Sequence, residues 1–421
     1  MIASMGCGGA EAVLHNVWPE LCRSDRYEFE ICLLNAYGHF GRKLVSEGAT
    51  VHCLDCEGKY DIRAVSRLRR LIRRRSCSIV HAHLFPELYV TSMATLGMKD
   101  VQLVYTEHQS TTRRRRLGIV ARMLDRLAYA PYSEVISVNA STQGSLVSWQ
   151  PGLADRAITI SNCVRRNENH RPDREGRARL LVELGLSPSS QTALILFASR
   201  LHHRKGADVL LSALTKIKDR DCLCIIAGEG EERATLTAAA TSIGLHDRIR
   251  FVGFRDDVPA LLTQVDLMIL PSRFPEGMPI VILEAMAAGC PIIATNVDGI
   301  AELLLNETSA LLVCPDDDEQ LANAICRLLS DAALGSALAR QASLDAEAYL
   351  AENAARQLFA VYDRLLGEAR VGFERRALGE RGQISRQKNE TTSHRGRLKV
   401  GWWRRRDLTV GGDEPTIGLG R

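Results

Sequence analysis

The chain has 421 residues, 46% hydrophobic and 25% charged, with a formal net charge of +4. That is the profile of a folded protein of about two domains. No apolar run approaches the ~18 residues that span a bilayer, and no basic stretch leading into an apolar core opens the chain, so neither a membrane span nor a signal peptide is expected.

The 12 cysteines are scattered, several in strand-like runs such as "CLCII" (222–226), which suits reduced thiols better than a disulfide framework. Cys53 and Cys56 form one C-x-x-C with no answering ligand pair, so no metal site is expected. Charge is unevenly placed. Residues 1–130 carry 19 Lys/Arg against 13 Asp/Glu, residues 131–366 carry 22 against 30, and residues 367–421 carry 13 against 7. A basic first part, an acidic second part and a basic tail read as units with different partners.

In chain order, "FEICLLN" (29–35), "ATVHCLD" (49–55), "CSIVHAHL" (77–84) and "VQLVYTEH" (101–108) read as strands, continued by "EVISVNA" and "RAITISN". "AEAVLHNVWPELCR" (10–23), "IRAVSRLRRLIRRR" (62–75) and "LGIVARMLDRLAYA" (117–130) read as helices. Such alternation implies a parallel sheet covered on both faces. Only Met1–Met5 precedes the turn "GCGGAE", so a clipped first strand is expected. A polar stretch, 166–190, reads as a linker. Alternation then restarts through strands at 192–200, 222–230, 248–254, 265–272, 291–297 and 309–315, giving a second doubly wound domain over 191–345. A helix near 343–366 is the last expected element. Residues 346–366 are its candidate for packing back on the first domain, 1–165, and 367–421 is expected to be a disordered basic tail. Within that tail "VGWWRRRD" (400–407) could touch a membrane surface.

Four constellations carry chemistry. In "SRFPEGMPIVILEAMAAG" (272–289) Glu276 stands before a helix and Glu284 inside it. Pro279 suits the first helical position and Gly289 the stop. The backbone N–H groups of Gly277, Met278 and their neighbours would then form an anion site, with two acids for hydroxyls. A sugar nucleotide offers hydroxyls at both ends and a diphosphate between; a capped helix with one solvated acid is the plain alternative. Ser199 ends a strand in "FASRLHHRKG", where Arg200 and Lys205 beside a helix start suit a diphosphate, while His202, His203 and Arg204 read as a solvated loop. "MGCGGAEAVL" places Gly8 and Gly9 before a helix without matching G-x-G-x-x-G, which argues against a nicotinamide dehydrogenase. Finally, His81, His83 and His108 end strands, His108 where the crevice should lie.

The combination of "GGAE", "TEH", "SRLHHRKG", "AGEG", "FVGF" and E-x7-E resembles the retaining glycosyltransferases of the GT-B fold, in particular glycosyltransferase family 4, over about residues 1–366. The resemblance implies an α/β chain with two Rossmann-like doubly wound domains facing across a cleft. It implies Arg200 and Lys205 on the donor diphosphate, Glu276 on the sugar hydroxyls, Glu284 on the ribose and His108 near the reacting sugar. Backbone contacts come from Gly277, Met278 and Pro279, with Gly8 and Gly9 near the phosphates and Phe254 by the base. It implies retention with no metal and no cofactor, the nucleotide sugar being a substrate.

Two departures stand out: Cys163 replaces a glycine in "ISNCV", and Asp298 replaces the first glycine of a pair in "NVDGIAE". The acceptor is expected to be a glycan or lipid-linked hydroxyl in cell-envelope, capsule, exopolysaccharide or lipopolysaccharide synthesis. Basic clusters Arg69–Arg75 and Arg113–Arg116 suggest a cytoplasmic protein peripheral on an anionic membrane. A non-hydrolysing sugar-nucleotide epimerase and an inactive nucleotide-binding protein are alternatives. Arginines without interleaved aromatics do not support nucleic-acid binding.

Overall fold

Short β-branched and leucine-rich runs separated by amphipathic stretches give a regular βα alternation in the computed structural model. It describes residues 1–6, 8–58, 60–109, 118–166 and 173–384, the side chains of Ala3 and of 368–384 excepted. The first half runs β1 (Ile2–Ser4), α1 (Gly9–Cys22), β2 (Ile31–Ala36), α2 (Gly38–Ser46), β3 (Val51–Cys53), α3 (Arg63–Arg75) and β4 (Ile79–His83). It continues through α4 (Glu87–Ala94), β5 (Gln102–Glu107), α5 (Gly118–Tyr129), β6 (Glu134–Ser137), α6 (Ala140–Trp149) and β7 (Ala157–Thr159).

The second half runs α7 (Arg174–Glu183), β8 (Ala193–Ala198), α8 (Ala207–Thr215), β9 (Cys222–Ala227), α9 (Arg233–Ser242), β10 (Ile249–Gly253) and α10 (Val258–Leu261). Then come β11 (Leu267–Leu270), α11 (Ile280–Ala288), β12 (Ile292–Thr295), β13 (Leu311–Val313), α12 (Asp318–Ser330), α13 (Ala332–Ala346) and α14 (Ala351–Ile384).

All strand pairs are parallel. The second half forms one sheet, β10-β9-β8-β11-β12-β13, with its topological switch between β8 and β11. Its inner strands β9, β8, β11 and β12 are buried on both faces, as "ALILFA" and "CLCIIA" demand, while the edge strand β10 is mostly half-buried. The first half holds β1-β2-β3 and β4-β5-β6-β7. Met1 joins them: its carbonyl accepts from His83 N at 2.9 Å and its amino group donates to the His81 carbonyl. β1 is therefore three residues long, and its link to β4 rests on one residue's backbone.

Two expectations change. Residues 166–190 are not all linker, although 167–172 lie outside the described residues. Asp173 caps α7 through Gly176 N at 2.8 Å, and Leu180, Leu181 and Leu184 enter the second half's core. The apolar spacing of "RLLVEL" wins over its charged surroundings. Second, the helix expected at 343–366 is two helices. A 3-10 turn at Glu347–Tyr349 and an extended Leu350 separate them, and Val164 exchanges hydrogen bonds with Tyr349 and Ala351. The chain there returns to the first half, where Tyr362 and Leu365 pack with Val104 and Ile136. α14 also runs on to Ile384 as helical backbone, because the Ala, Arg and Glu residues between its glycines are good helix formers. The rest of the expected tail, including 400–407, lies outside the described residues. Among the described residues no helix is long and apolar enough to cross a membrane.

Candidate functional site

A ligand crevice in a doubly wound sheet lies beyond the carboxyl ends of the strands at the switch point. Here that point is the β8/β11 pair. β8 delivers Ser199 and Arg200; β11 delivers Pro271 and Ser272. The two loops approach closely: a Cβ on Gly206 (φ +67°) would lie 2.0 Å from the Pro271 carbonyl oxygen, so only glycine fits. Arg204 Nη2 donates to the Pro275 carbonyl at 3.0 Å and its guanidinium stacks 4.9 Å from the Phe274 ring centroid, so it stitches the loops while remaining exposed. Arg273 adds a forked pair to Asp208 at 2.7 and 2.6 Å.

Within this frame Lys205 Nζ donates to Glu276 Oε1 at 2.7 Å, and Ser272 Oγ donates to the same oxygen at 2.7 Å. Ser272 is fully buried and its carbonyl accepts from Thr295 Oγ1 at 2.6 Å. Glu276 is thus fixed by one cation and one hydroxyl, with its second oxygen left for a ligand. Arg200 is exposed, and its side chain makes no ion pair or hydrogen bond among the described residues. α11 starts at Ile280 with Pro279 as its cap, one residue later than the sequence suggests, and ends at Gly289 (φ +66°).

Glu284, one turn inside α11, is half-buried and has no hydrogen-bond partner among the described residues. Loss of solvation pushes its carboxyl up to about 7. A carboxyl partly withdrawn from water, with no partner of its own among the described residues, is suited to accept hydrogen bonds from a ligand's hydroxyls.

The first half closes over this loop. Asn139 Nδ2 donates to the Gly277 carbonyl, and Asn162 Nδ2 donates to the Met278 carbonyl at 2.8 Å. A Cβ on Gly277 would sit 2.1 Å from the His108 carbonyl oxygen. Met278 sends its side chain into the core, leaving only its backbone for a ligand. Glu302 accepts from the N–H groups of Ala140 and Ser141 at 3.0 and 3.1 Å, capping α6 from the other half. These asparagines and Glu302 were not singled out in the sequence; Asn162 lies in "ISNCV", where the eye falls on Cys163. That cysteine fills a cluster with Val17, Leu21 and Ala354. Asp298 is equally benign, since Glu276 N donates to its backbone carbonyl at 2.9 Å. The glycine that matters is Gly299 (φ +84°), whose Cβ would lie 2.4 Å from the carbonyl oxygens of Glu276 and Gly277.

His108 Nε2 lies 3.2 Å from His83 Nδ1, and His81 sits between the Tyr362 hydroxyl (2.8 Å) and Thr106 Oγ1 (2.7 Å). Burial lowers all three histidines, His108 to about 4, so they are neutral at pH 7. His108 Nδ1 is enclosed and unpartnered among the described residues. Gly8 caps α1, and Gly9 faces the first residue of α11, its notional Cβ 3.8 Å from Ile280 Cγ1. Two helix N-termini therefore meet beside the crevice. Glu11, unnoticed in the sequence, folds back over Gly8; burial raises its carboxyl while the Arg200 charge opposes that shift. Phe254 is exposed and meets His39 edge-on at 5.3 Å, while His39 Nε2 lies 3.5 Å from Asp256.

Sequence models describe the same two halves: Glycosyltransferase Family 4 matches residues 7–168 and Glycosyl transferases group 1 matches residues 192–331. Glycogen synthase of Mycobacterium tuberculosis is 31% identical over 295 residues, 67% of each chain. The chain belongs to the family 4 glycosyltransferases. Alpha-D-kanosaminyltransferase of Streptomyces kanamyceticus is 27% identical, covering 71% of this chain and 80% of that one. Anabaena HepE, solved with UDP and glucose, superposes with a TM-score of 0.75 at 23% identity, covering 86% of this chain and 99% of that one. WaaG, a glycosyltransferase of lipopolysaccharide biosynthesis, gives 0.65 at 17%, covering 84% and 98%. These likenesses establish the GT-B fold for this glycosyltransferase.

Proposed function

We propose that this glycosyltransferase moves a sugar, with retention, from a nucleoside-diphosphate sugar to a hydroxyl of a glycan or lipid-linked acceptor in cell-envelope polysaccharide synthesis. The observation that carries the donor reading is the pairing, at the switch point, of an anchored Glu276 with an unpartnered, half-desolvated Glu284. Glu284 meets the ribose hydroxyls and Glu276 those of the sugar. Arg200, Lys205 and the N-termini of α1 and α11 stabilise the diphosphate as it leaves, doing with fixed cations what a metal would otherwise do. Ser199 and Phe254 line the path toward the base. The neutral His108 offers a hydrogen bond, not a charge, beside the sugar.

In this reading, which follows the family resemblance, no covalent intermediate is invoked: the acceptor attacks from the face the diphosphate leaves, and the departing phosphate oxygen takes its proton. UDP in the Anabaena neighbour and lipopolysaccharide synthesis by WaaG support the donor and the pathway class. The basic α3 supports a cytoplasmic, membrane-peripheral setting; Arg113–Arg116 lie outside the described residues.

Thermal unfolding with UDP, GDP, ADP and NAD tests this. One nucleoside diphosphate at a hundred times its dissociation constant should stabilise the protein by about 2.7 kcal/mol, and Glu284→Ala should lose that gain. A response to NAD alone would overturn the reading. Donor turnover without acceptor, with inversion at a sugar carbon, would mark an epimerase.

A further inference from the structure

An amphipathic helix on a sheet normally turns its large apolar side chains inward. α5 does the reverse. Its buried side is Ala121, Asp125, Ala128 and Tyr129, with Asp125 held by the Trp149 indole at 2.7 Å and by the Tyr89 hydroxyl. Ile119, Val120, Met123, Leu124 and Leu127 are 75%, 64%, 64%, 52% and 70% exposed. At about 100° per residue these five fall within about 140° of arc, one continuous stripe. Arg122 and Arg126, both exposed, border it. α4 packs beside α5 and adds Met93, 53% exposed; α3 packs beside α4 and exposes Arg70, Arg73 and Arg74. None of the three helices exposes an acidic side chain: Glu87 and Asp125, their only acids, are buried.

A contiguous apolar stripe of this kind marks an interaction surface. Its chemistry selects the occupant. A single convex helix offers no groove for a peptide, while an apolar stripe bordered by long cationic side chains, with no acid exposed on the three helices, matches an anionic bilayer surface. We infer that the outer face of α5, extended by α4 and α3, is the surface on which this protein docks to anionic lipid, with the α5 stripe entering the interface. This deepens the membrane-peripheral part of the proposed function but rests on its own observation. It also has a direction. α5 follows the carboxyl end of β5, where His108 stands, so the stripe starts at the cleft end of the first half and would bring that end of the crevice toward the lipid surface.

The test is flotation of the full chain with vesicles of phosphatidylcholine alone and of phosphatidylcholine mixed with phosphatidylglycerol. The wild type should float with the anionic vesicles and dissociate as salt rises. Met123→Asp with Leu127→Asp should weaken partitioning at least about tenfold. Arg122→Glu with Arg126→Glu should weaken it by a similar factor and lessen the salt dependence, which Arg70, Arg73 and Arg74 of α3 would still carry in part. The thermal shift with UDP, GDP and ADP, read on every variant, reports that the fold and donor site are intact. Flotation that follows α5 without any nucleotide response would support the surface while defeating the donor reading. The inference is overturned if the wild type ignores anionic vesicles or if the α5 variants float undiminished, which would assign binding to another segment. A wild-type dimer in light scattering that the Met123/Leu127 variant turns into monomer would overturn it too, since a second copy would then cover the stripe.

Discussion

Glu284 gives the sharpest prediction because its state must change when donor binds. Its carboxyl titrates at about 7 against an ordinary 4.5, with desolvation as the cause. Hydroxyls donating to it would favour the anion and return it toward the ordinary range. At pH 6 about 0.9 of a proton should then leave for each donor bound, and affinity should rise about tenfold per pH unit between about pH 5 and 7 before levelling. The intact nucleotide sugar of whichever base binds is the better probe, because the terminal phosphate of a nucleoside diphosphate itself titrates near pH 6, as phosphomonoesters do. Calorimetry in two buffers of different ionisation enthalpy counts the protons. In Glu284→Gln the count should fall to near zero and the affinity should become flat with pH.

Stability moves with the same group. The native state keeps a proton that the unfolded chain has lost, so this residue's contribution falls as pH rises from 4.5 through about 7. The penalty is at most about 3 kcal/mol, and Glu284→Gln should recover part of it above pH 7. Equal proton release in the wild type and the variant, or none in either, would refute the assignment of Glu284 to a donor hydroxyl.

Other variants probe the rest of the site. Arg200→Ala and Lys205→Ala should each lower kcat about 10²–10³-fold, with Lys205→Ala also loosening Glu276 and raising KM for donor. Gly277→Ala puts a methyl against the His108 carbonyl. It should cost about 1–3 kcal/mol in thermal unfolding, as overpacking does, and abolish transfer. Asn162→Ala leaves the Met278 carbonyl unpaired; a loss of about 1–3 kcal/mol and weaker donor binding by thermal shift are expected, with Asn162→Gln restoring little because the longer arm misplaces the amide.

Much of the donor half was legible in the sequence because its signals are local. Ser199, Arg200 and Lys205 follow one strand, and Glu276 to Gly289 form one loop and one helix whose proline and glycine mark the ends. What was not legible lies in pairs distant along the chain. Asn139 and Asn162 find carbonyls 138 and 116 residues away, and His83 finds His108 only once β4 and β5 pair. The inversion of α5 was hidden for a related reason. Periodicity shows that one face is apolar; only the strands and helices beneath decide which face is inward, and here a buried Asp125 with two hydrogen-bond donors claimed that side. The helical backbone of α14 beyond Gly367 was not expected because the composition of 367–421 reads as a disordered basic tail, yet it stays helical to Ile384 through four glycines.

The bonds that join the halves carry a consequence for each half alone. Two asparagine amides of the first half brace the Gly277–Met278 loop of the second, and Glu302 of the second half caps α6 of the first. Were the halves to part, the two amides would be given up to water and the loop would lose the braces that set its peptide planes. On the proposed donor role, the second half by itself would therefore carry an incomplete receptor.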